Sequence, residues 1–327
     1  MSGAAPGPQP HGQPTRWREA RAAALYGEHG FFVRHRPAGH FRTSVHAAPE
    51  RFAAALLRLL ERLDAALGHP DPLDVVDIGA GEGELLSALA AAAPPELAGR
   101  LRPTAVEIAT PPPPAPVTGL VLATEWLDNI PVDVVQLDDA GLPRYVLVDP
   151  ATGDEALGEP VTGPEADWLA RWWPLTVPGS RAELGRGRDE AWAGAVATLD
   201  RGAALAVDYG HLAPDRPPFG TLTGYRDGRE VVPVPDGSCD LTAHVALDAL
   251  ATAESVLVTQ RAALRALGAD GARPPLALAH RDPAAYLRRL ADAGAVAELT
   301  DPAGLGGHYW LLQPVGLAAA DVARWLA

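Results

Sequence analysis

The chain has 327 residues, enough for one large α/β domain or two smaller ones, and carries a formal net charge of -14 with a single cysteine, Cys239. That charge argues against a broad electrostatic grip on nucleic acid or an anionic bilayer, and one cysteine rules out an intramolecular disulfide, a multi-cysteine zinc site and a cysteine-ligated iron–sulfur cluster. A hydrophobic content of 47% excludes a chain disordered throughout, and no apolar run reaches the ~18 residues of a membrane span.

Met1 to Pro14 is rich in Gly, Pro and Gln and lacks the apolar centre of a secretion signal, so it reads as part of a disordered lead of about 20 residues on a cytoplasmic protein. From Phe52, apolar residues recur at Leu56, Leu59, Leu60, Leu63 and Leu67, the spacing of one helical face, with Pro49 suited to the first turn. His69-Pro70-Asp71-Pro72 makes a turn into Leu73–Ile78, a first strand rich in β-branched residues. Gly79 to Gly83 forms the next turn, and Glu84 to Ala93 has the leucine spacing of a helix, ended by Pro94-Pro95. Thr104 to Ile108 reads as a second strand, followed by Pro111 to Pro114, a stiff connection.

Gly119 to Thr124 and Ala203 to Val207 are short apolar runs, each followed by an acid, Glu125 and Asp208, as in parallel strands buried on both faces. Between them, Val134 to Val148 has the pattern of a hairpin turning at Asp138-Asp139-Ala140-Gly141, followed by a segment with Trp168, Trp172 and Trp173. These are read as a substrate-covering insertion at about 132–200 in one domain running from 21 to 327. The tryptophans fit a buried helix face better than a stacking lid. Ser255 to Thr259 and His308 to Gln313 complete the expected strands, with a helix around Tyr286 to Leu290 between them.

Strand, glycine turn and helix, with an acid ending the next strand, is a device for holding adenosine: the turn lets the backbone approach closely and the acid takes the ribose hydroxyls. Here the turn is Gly79-Ala80-Gly81-Glu82-Gly83, preceded by Asp77, and the acid is Glu107. The nicotinamide fingerprint needs a third glycine where this chain has Glu84, and a phosphate loop needs a lysine that no candidate turn supplies. Glycines serving only a tight turn remain the competing reading.

Gly-x-Gly-x-Gly after an acid resembles motif I of class I methyltransferases. Further pieces resemble the MidA family of S-adenosylmethionine-dependent, protein-arginine-type methyltransferases, which includes a mitochondrial complex I assembly factor. They run in the family's order from Tyr26-Gly27 through Gly30-Phe31-Phe32, Phe41-Arg42-Thr43-Ser44, the glycine turn, Val106-Glu107-Ile108, Thr124 to Pro131 and Asp208-Tyr209-Gly210. Gly220-Thr221-Leu222, Tyr225-Arg226, Asp240 to Val245 and Thr259-Gln260 follow, up to about Gly268. The family has Asn-Glu-Phe-Phe-Asp-Ala-Leu-Pro where this chain keeps only Glu125, Asp128 and Pro131, and it has a longer helix and another strand where this chain runs through Pro111 to Pro116.

The resemblance implies a doubly wound, Rossmann-like α/β methyltransferase fold with S-adenosylmethionine as cofactor, held by Asp77, Gly79, Gly81, Gly83 and Glu107. It also implies a protein partner presenting an arginine. Methyl transfer from a sulfonium is an in-line displacement that needs alignment rather than a metal or a nucleophilic side chain. For an arginine acceptor, Glu125 and Asp128 are the candidate catalytic pair, two carboxylates able to hold a guanidinium bidentately; a cap or hinge role competes. Asp208 and Tyr209 either line the same cleft or form a turn. Asp240 and His244, four apart, would face one way on a helix, but Asp240 or Thr242 as an N-cap is the simpler reading, a metal site being the remote alternative. His29, His35, His40 and His46 fit solvated loop positions. Methylation of another nucleophile, small molecule or protein, and a non-catalytic assembly role stay open as alternatives.

Overall fold

The computed structural model describes residues 13–34, 43–107 and 116–326, and the chain divides into two compact units. The first gathers the described residues of 1–41, 129–187 and 213–244, and the second those of 42–128, 188–212 and 245–327.

The second unit is built on six strands, β1 (Leu73–Ile78), β2 (Leu101–Val106), β3 (Val117–Thr124), β4 (Leu199–Asp208), β5 (Val256–Thr259) and β6 (Tyr309–Val315), in the order β5-β6-β4-β3-β1-β2. The neighbours among β1 to β4 pair in parallel, whereas β6 runs antiparallel to both β4 and β5. Leu73, Val75, Val76, Leu120 to Ala123 and Ala203 to Val207 are at most 2% exposed, as expected of a sheet covered on both faces. Helix α1 (Pro49–Leu67) starts with proline in its first turn and ends at Gly68, left-handed with φ 80°. Its apolar face, Phe52, Leu56, Leu59, Leu60, Leu63 and Leu67, enters the core shared with Leu120, Leu205 and Trp310; each fully buried side chain contributes roughly 1.5–3 kcal/mol. Helix α2 (Glu84–Ala92) follows the glycine turn, and α3 (Gln260–Ala266) and α4 (Pro283–Leu299) precede β6.

This topology determines where the chemistry sits. The parallel strands β1, β3 and β4 end together, because Ile78 pairs with Ala123 and Thr124 with Val207. Antiparallel β6 begins at that edge, Tyr309 opposite Asp208, so the loop carrying His308 arrives there too.

The first unit has a five-stranded antiparallel sheet of Thr15–Arg16, Val134–Leu137, Pro143–Val148, Glu155–Pro160 and Arg181–Glu183, and a three-stranded one of Thr223–Arg226, Arg229–Val231 and Asp240–Thr242. The hairpin forms about the expected turn, with Leu137 opposite Pro143. Trp168 of helix Pro164–Trp172 and Trp173 just past its end are buried, at 6% and 2% exposure, and serve packing, while Trp172 is half-buried.

Four expectations need correction. Order begins before residue 20: Thr15 pairs with Val148, and helix Trp17–Tyr26 packs Trp17, Ala20, Ala24 and Leu25 against Val134 and Val146. That face is alanine-rich and follows a Gly/Pro-rich stretch whose residues 1–12 lie outside those described. The expected insertion at 132–200 is displaced: its unit takes 129–187 but also 213–244 and the N-terminal helix, while most of helix Arg186–Val196 belongs with β4. Asp240 and Thr242 lie in a strand paired with Thr223–Tyr225, not at a helix start, because pairing with a distant segment overrides their local capping preference. The second strand spans Leu101–Val106 rather than starting at Thr104; Ile108 and Pro111 to Pro114 lie outside the described residues.

At the sheet centre, Gly119 (φ 149°) and Gly202 (φ 150°) pair with each other, and Gly119 pairs in turn with Asp74. A Cβ on Gly202 would lie 1.9 Å from the Gly119 carbonyl oxygen, and one on Gly119 would lie 2.0 Å from that of Asp74. Gly202→Ala should therefore cost about 3 kcal/mol or more and lower Tm by roughly 6 °C. Calorimetric unfolding checks this, and a Tm within a degree of the parent would contradict it.

Candidate active site

The candidate site lies in the sheet unit. Its glycine turn leaves β1 at Ile78, and Gly79, Gly81 and Gly83 have φ of 74°, 60° and 83°, conformations that side chains rarely adopt. A Cβ on Gly79 would meet Cδ1 of Trp126 at 3.0 Å, so glycine there also permits packing against the segment after β3. The Gly79 N–H continues the ladder to the Val106 carbonyl at 2.9 Å, and the Gly81 N–H donates to Glu107 Oε1 at 2.6 Å. Glu107 thus stands beside the turn, where an acid can meet ribose hydroxyls.

The turn is acidic as well as open. Burial pushes the Asp77 carboxyl up to about 7, with the charges of Glu107 and Glu84 adding to the shift. Carboxylates around this turn, whose N–H groups at Gly79, Gly81, Glu82 and Gly83 are already bonded within the protein, suit a ligand with positive charge and oppose a pyrophosphate. A sulfonium with an amino-acid tail meets that requirement, so the residues of the turn, Asp77 to Gly83, and Glu107 beside it fit the chemistry of S-adenosylmethionine. Thr43 to Ala47 approaches the same turn: His46 Nε2 lies 3.8 Å from Glu84 Oε1, while its Nδ1 is 2.7 Å from Thr43 Oγ1. His46 is therefore an anchored residue, whereas His35 and His40 lie outside the described residues.

Glu125 follows β3 with φ 51°, one of three described non-glycine residues at positive φ. A left-handed glutamate is strained by ~1–2 kcal/mol, and the surroundings hold it there. Its N–H donates to the Val207 carbonyl at 2.7 Å, and its Oε1 accepts the Ser44 N–H at 2.7 Å. Burial pushes its carboxyl up to about 8; the Ser44 N–H opposes this and the Asp128 charge adds to it. Beside it, the Thr124 hydroxyl oxygen is buried and has no hydrogen-bond partner among the described residues, a polar atom that suits contact with a ligand.

Asp128 lies in the 3₁₀ turn Leu127–Asn129 and is 3% exposed. Its Oδ2 accepts from the Tyr209 hydroxyl, and its carbonyl accepts from Arg188 Nη2 at 2.7 Å. Asp208 is fully buried and binds backbone: its Oδ2 accepts the N–H groups of Leu127 (3.0 Å) and Asp128 (3.2 Å), and its Oδ1 that of Tyr209 (3.0 Å). Burial, then the charges of Asp128 and Glu125, raise its carboxyl well above the ordinary range, against the pull of Arg188. Of the two roles open to Asp208, the structure has it organising the loop that carries Asp128. Gly210 lets this segment approach closely, since a Cβ there would lie 2.1 Å from the Val245 carbonyl oxygen.

Sequence reasoning did not select Arg188, Gln260 or His308. Gln260 is fully buried, accepts from Trp310 Nε1 at 3.2 Å and donates to the Ser44 hydroxyl at 3.1 Å, supporting the segment that holds Glu125. His308 Nδ1 lies 4.0 Å from Glu125 Oε1, and its ring centre is 5.4 Å from that of Tyr209. Among the described residues, no three His, Cys, Asp or Glu side chains are grouped to hold a metal, and no helix is long and apolar enough to cross a membrane.

A family model described as "putative S-adenosyl-L-methionine-dependent methyltransferase" matches residues 105–263, a stretch that includes Glu107, Glu125, Asp128, Asp208 and Tyr209. Just under half of the chain thus matches this methyltransferase family. Two solved structures from Burkholderia thailandensis are similar to the methyltransferase over nearly its whole length. One, bound to S-adenosyl-homocysteine, has a TM-score of 0.71 and 24% identity and covers 95% of this chain and 91% of its own. The other, of an uncharacterized protein solved in native form, has a TM-score of 0.71 and 25% identity, with coverage of 94% and 90%. No curated protein matches the chain. The sheet is that of a class I methyltransferase, and S-adenosylmethionine is its cofactor.

Gly81→Arg fills the turn of the methyltransferase and puts a side chain at φ 60°, so the unliganded Tm should fall by a few degrees and S-adenosylhomocysteine should no longer raise it; a retained ligand shift would contradict the assignment. The Glu125 carboxyl ionises in the unfolded chain near 4.5 but in the folded protein near 8. The folded state therefore holds the extra proton between those values, and stability falls as pH rises through that window. Glu125→Gln should match the parent near pH 4 and exceed its stability at pH 8 by on the order of a few kcal/mol. Denaturant melts at both pH values test this; equal stability at pH 8 would show that the buried carboxyl carries no such cost.

Proposed function

We propose that this methyltransferase transfers its methyl group to the guanidinium of an arginine in a partner protein, working in the cytoplasm. The reading is carried by Glu125, a carboxyl held in a strained backbone and raised to about 8 by burial. Such a group is costly to ionise alone and favourable to ionise beside a cation, and a guanidinium is the side-chain cation that keeps its charge at every working pH. The net charge of -14 supports attraction of a basic segment, and one buried cysteine agrees with a reducing compartment.

In this reading Glu125 binds and orients the guanidinium, and Asp128, aligned by the Tyr209 hydroxyl, adds a second carboxylate. Asp208 keeps Leu127 and Asp128 in place through their N–H groups. The cofactor supplies an electrophilic methyl carbon on sulfur, so these residues act by alignment and charge.

Acid hydrolysis and amino-acid analysis of a basic protein fraction incubated with methyl-labelled cofactor should yield labelled methylarginine. Glu125→Gln should bind S-adenosylhomocysteine as the parent does and transfer methyl about 100-fold more slowly. Label confined to another nucleophile, or an unimpaired Glu125→Gln, would defeat the reading.

A further inference from the structure

Methylation of a guanidinium releases one proton. The acceptor nitrogen forms a bond to the methyl carbon, the carbon–sulfur bond breaks with its electron pair remaining on sulfur, and the nitrogen gives up an N–H proton. The group nearest the bound cation in the proposed reading is Glu125, whose side chain is 7% exposed. A buried glutamate that accepts this proton needs a second base to pass it on, or it remains neutral and cannot hold the next cation.

His308 is placed for that step. Its side chain is 12% exposed, and Nδ1 stands 4.0 Å from Oε1 of Glu125, about 1 Å beyond hydrogen-bond contact. The backbone around it is fixed: its carbonyl accepts the Gln260 N–H at 2.7 Å and its N–H bonds to the Leu305 carbonyl at 3.1 Å. The antiparallel entry of β6, Tyr309 opposite Asp208, brings it to the carboxyl edge of β3 and β4. Glu125, from the turn after β3, and Tyr209, from the segment after β4, with its hydroxyl turned toward Asp128, face the ring. An imidazole between a carboxyl and a phenol ring, with limited solvent access, can take a proton from Oε1 and release it to water.

We propose that His308 is a positioning and proton-accepting residue for the methyl transfer, receiving from Glu125 the proton that the acceptor nitrogen loses. The inference rests on the arginine reading and goes beyond it by assigning the proton's route. His308 must be neutral to act, so the single-turnover rate rises with pH through the histidine's titration.

The test uses the full chain with an acceptor protein, in the parent and in His308→Ala, His308→Gln and Glu125→Gln. In both His308 variants the affinity for S-adenosylhomocysteine should stay within twofold of the parent, single-turnover transfer should fall at least about tenfold, and the rise with pH should disappear. Added imidazole should restore a substantial part of the rate in His308→Ala. Parent-like rates in both His308 variants, a rise with pH that persists in them, or absence of imidazole rescue would each overturn the inference. Its failure is distinguishable from that of the arginine reading, which rests on whether the parent's labelled product is methylarginine.

Discussion

Buried negative charge is the constraint on which this structure turns. Strands β1, β3 and β4 deliver Asp77, Glu125 and Asp208 to one edge of the sheet, where burial makes each carboxylate costly and nearby acids add to that cost: Glu107 and Glu84 at Asp77, Asp128 at Glu125, and Asp128 with Glu125 at Asp208. Backbone N–H groups offset part of that cost at Glu125 and at Asp208. Arg188 offsets a further part at Asp208, and an arriving cation would offset more; both a sulfonium cofactor and a guanidinium acceptor are cations. One electrostatic arrangement thus accounts for the choice of cofactor and for the proposed acceptor.

The edge is precise because the sheet beneath it is tight. Glycine at 119 and 202 lets neighbouring strands approach where any Cβ would collide with a carbonyl oxygen, and glycine at 210 does the same for the segment after β4. Ser44, Gln260 and Trp310 form a hydrogen-bonded chain that fixes the N–H on which Glu125 rests. A strained glutamate persists because each of its neighbours is itself held.

Much of this was legible in the sequence, and what was not has a common cause. Leu73–Ile78 forms the strand its β-branched run predicts, Pro49 and Gly68 bound their helix, and the hairpin turns at Asp138 to Gly141, all features set by residues close in sequence. The glycine turn and Glu107 were readable as a pair because a strand and a short crossover set their spacing. Asp240 to His244 was misread because its strand partners, Thr223 to Tyr225, provide no local signal. His308 and Arg188 were invisible as site residues for the same reason: Glu125 and Asp128, which they face, lie far along the chain. The motifs located the site, and long-range contacts assigned its supporting groups.

An open, acidic glycine turn should admit a cationic adenosyl cofactor and refuse a pyrophosphate. Isothermal titration of the full chain with S-adenosylmethionine, S-adenosylhomocysteine and NADH at pH 7 measures that choice. Saturable one-to-one binding of the two adenosyl compounds and none of NADH is expected; binding of NADH, or of none of the three, would show that the turn makes no such selection.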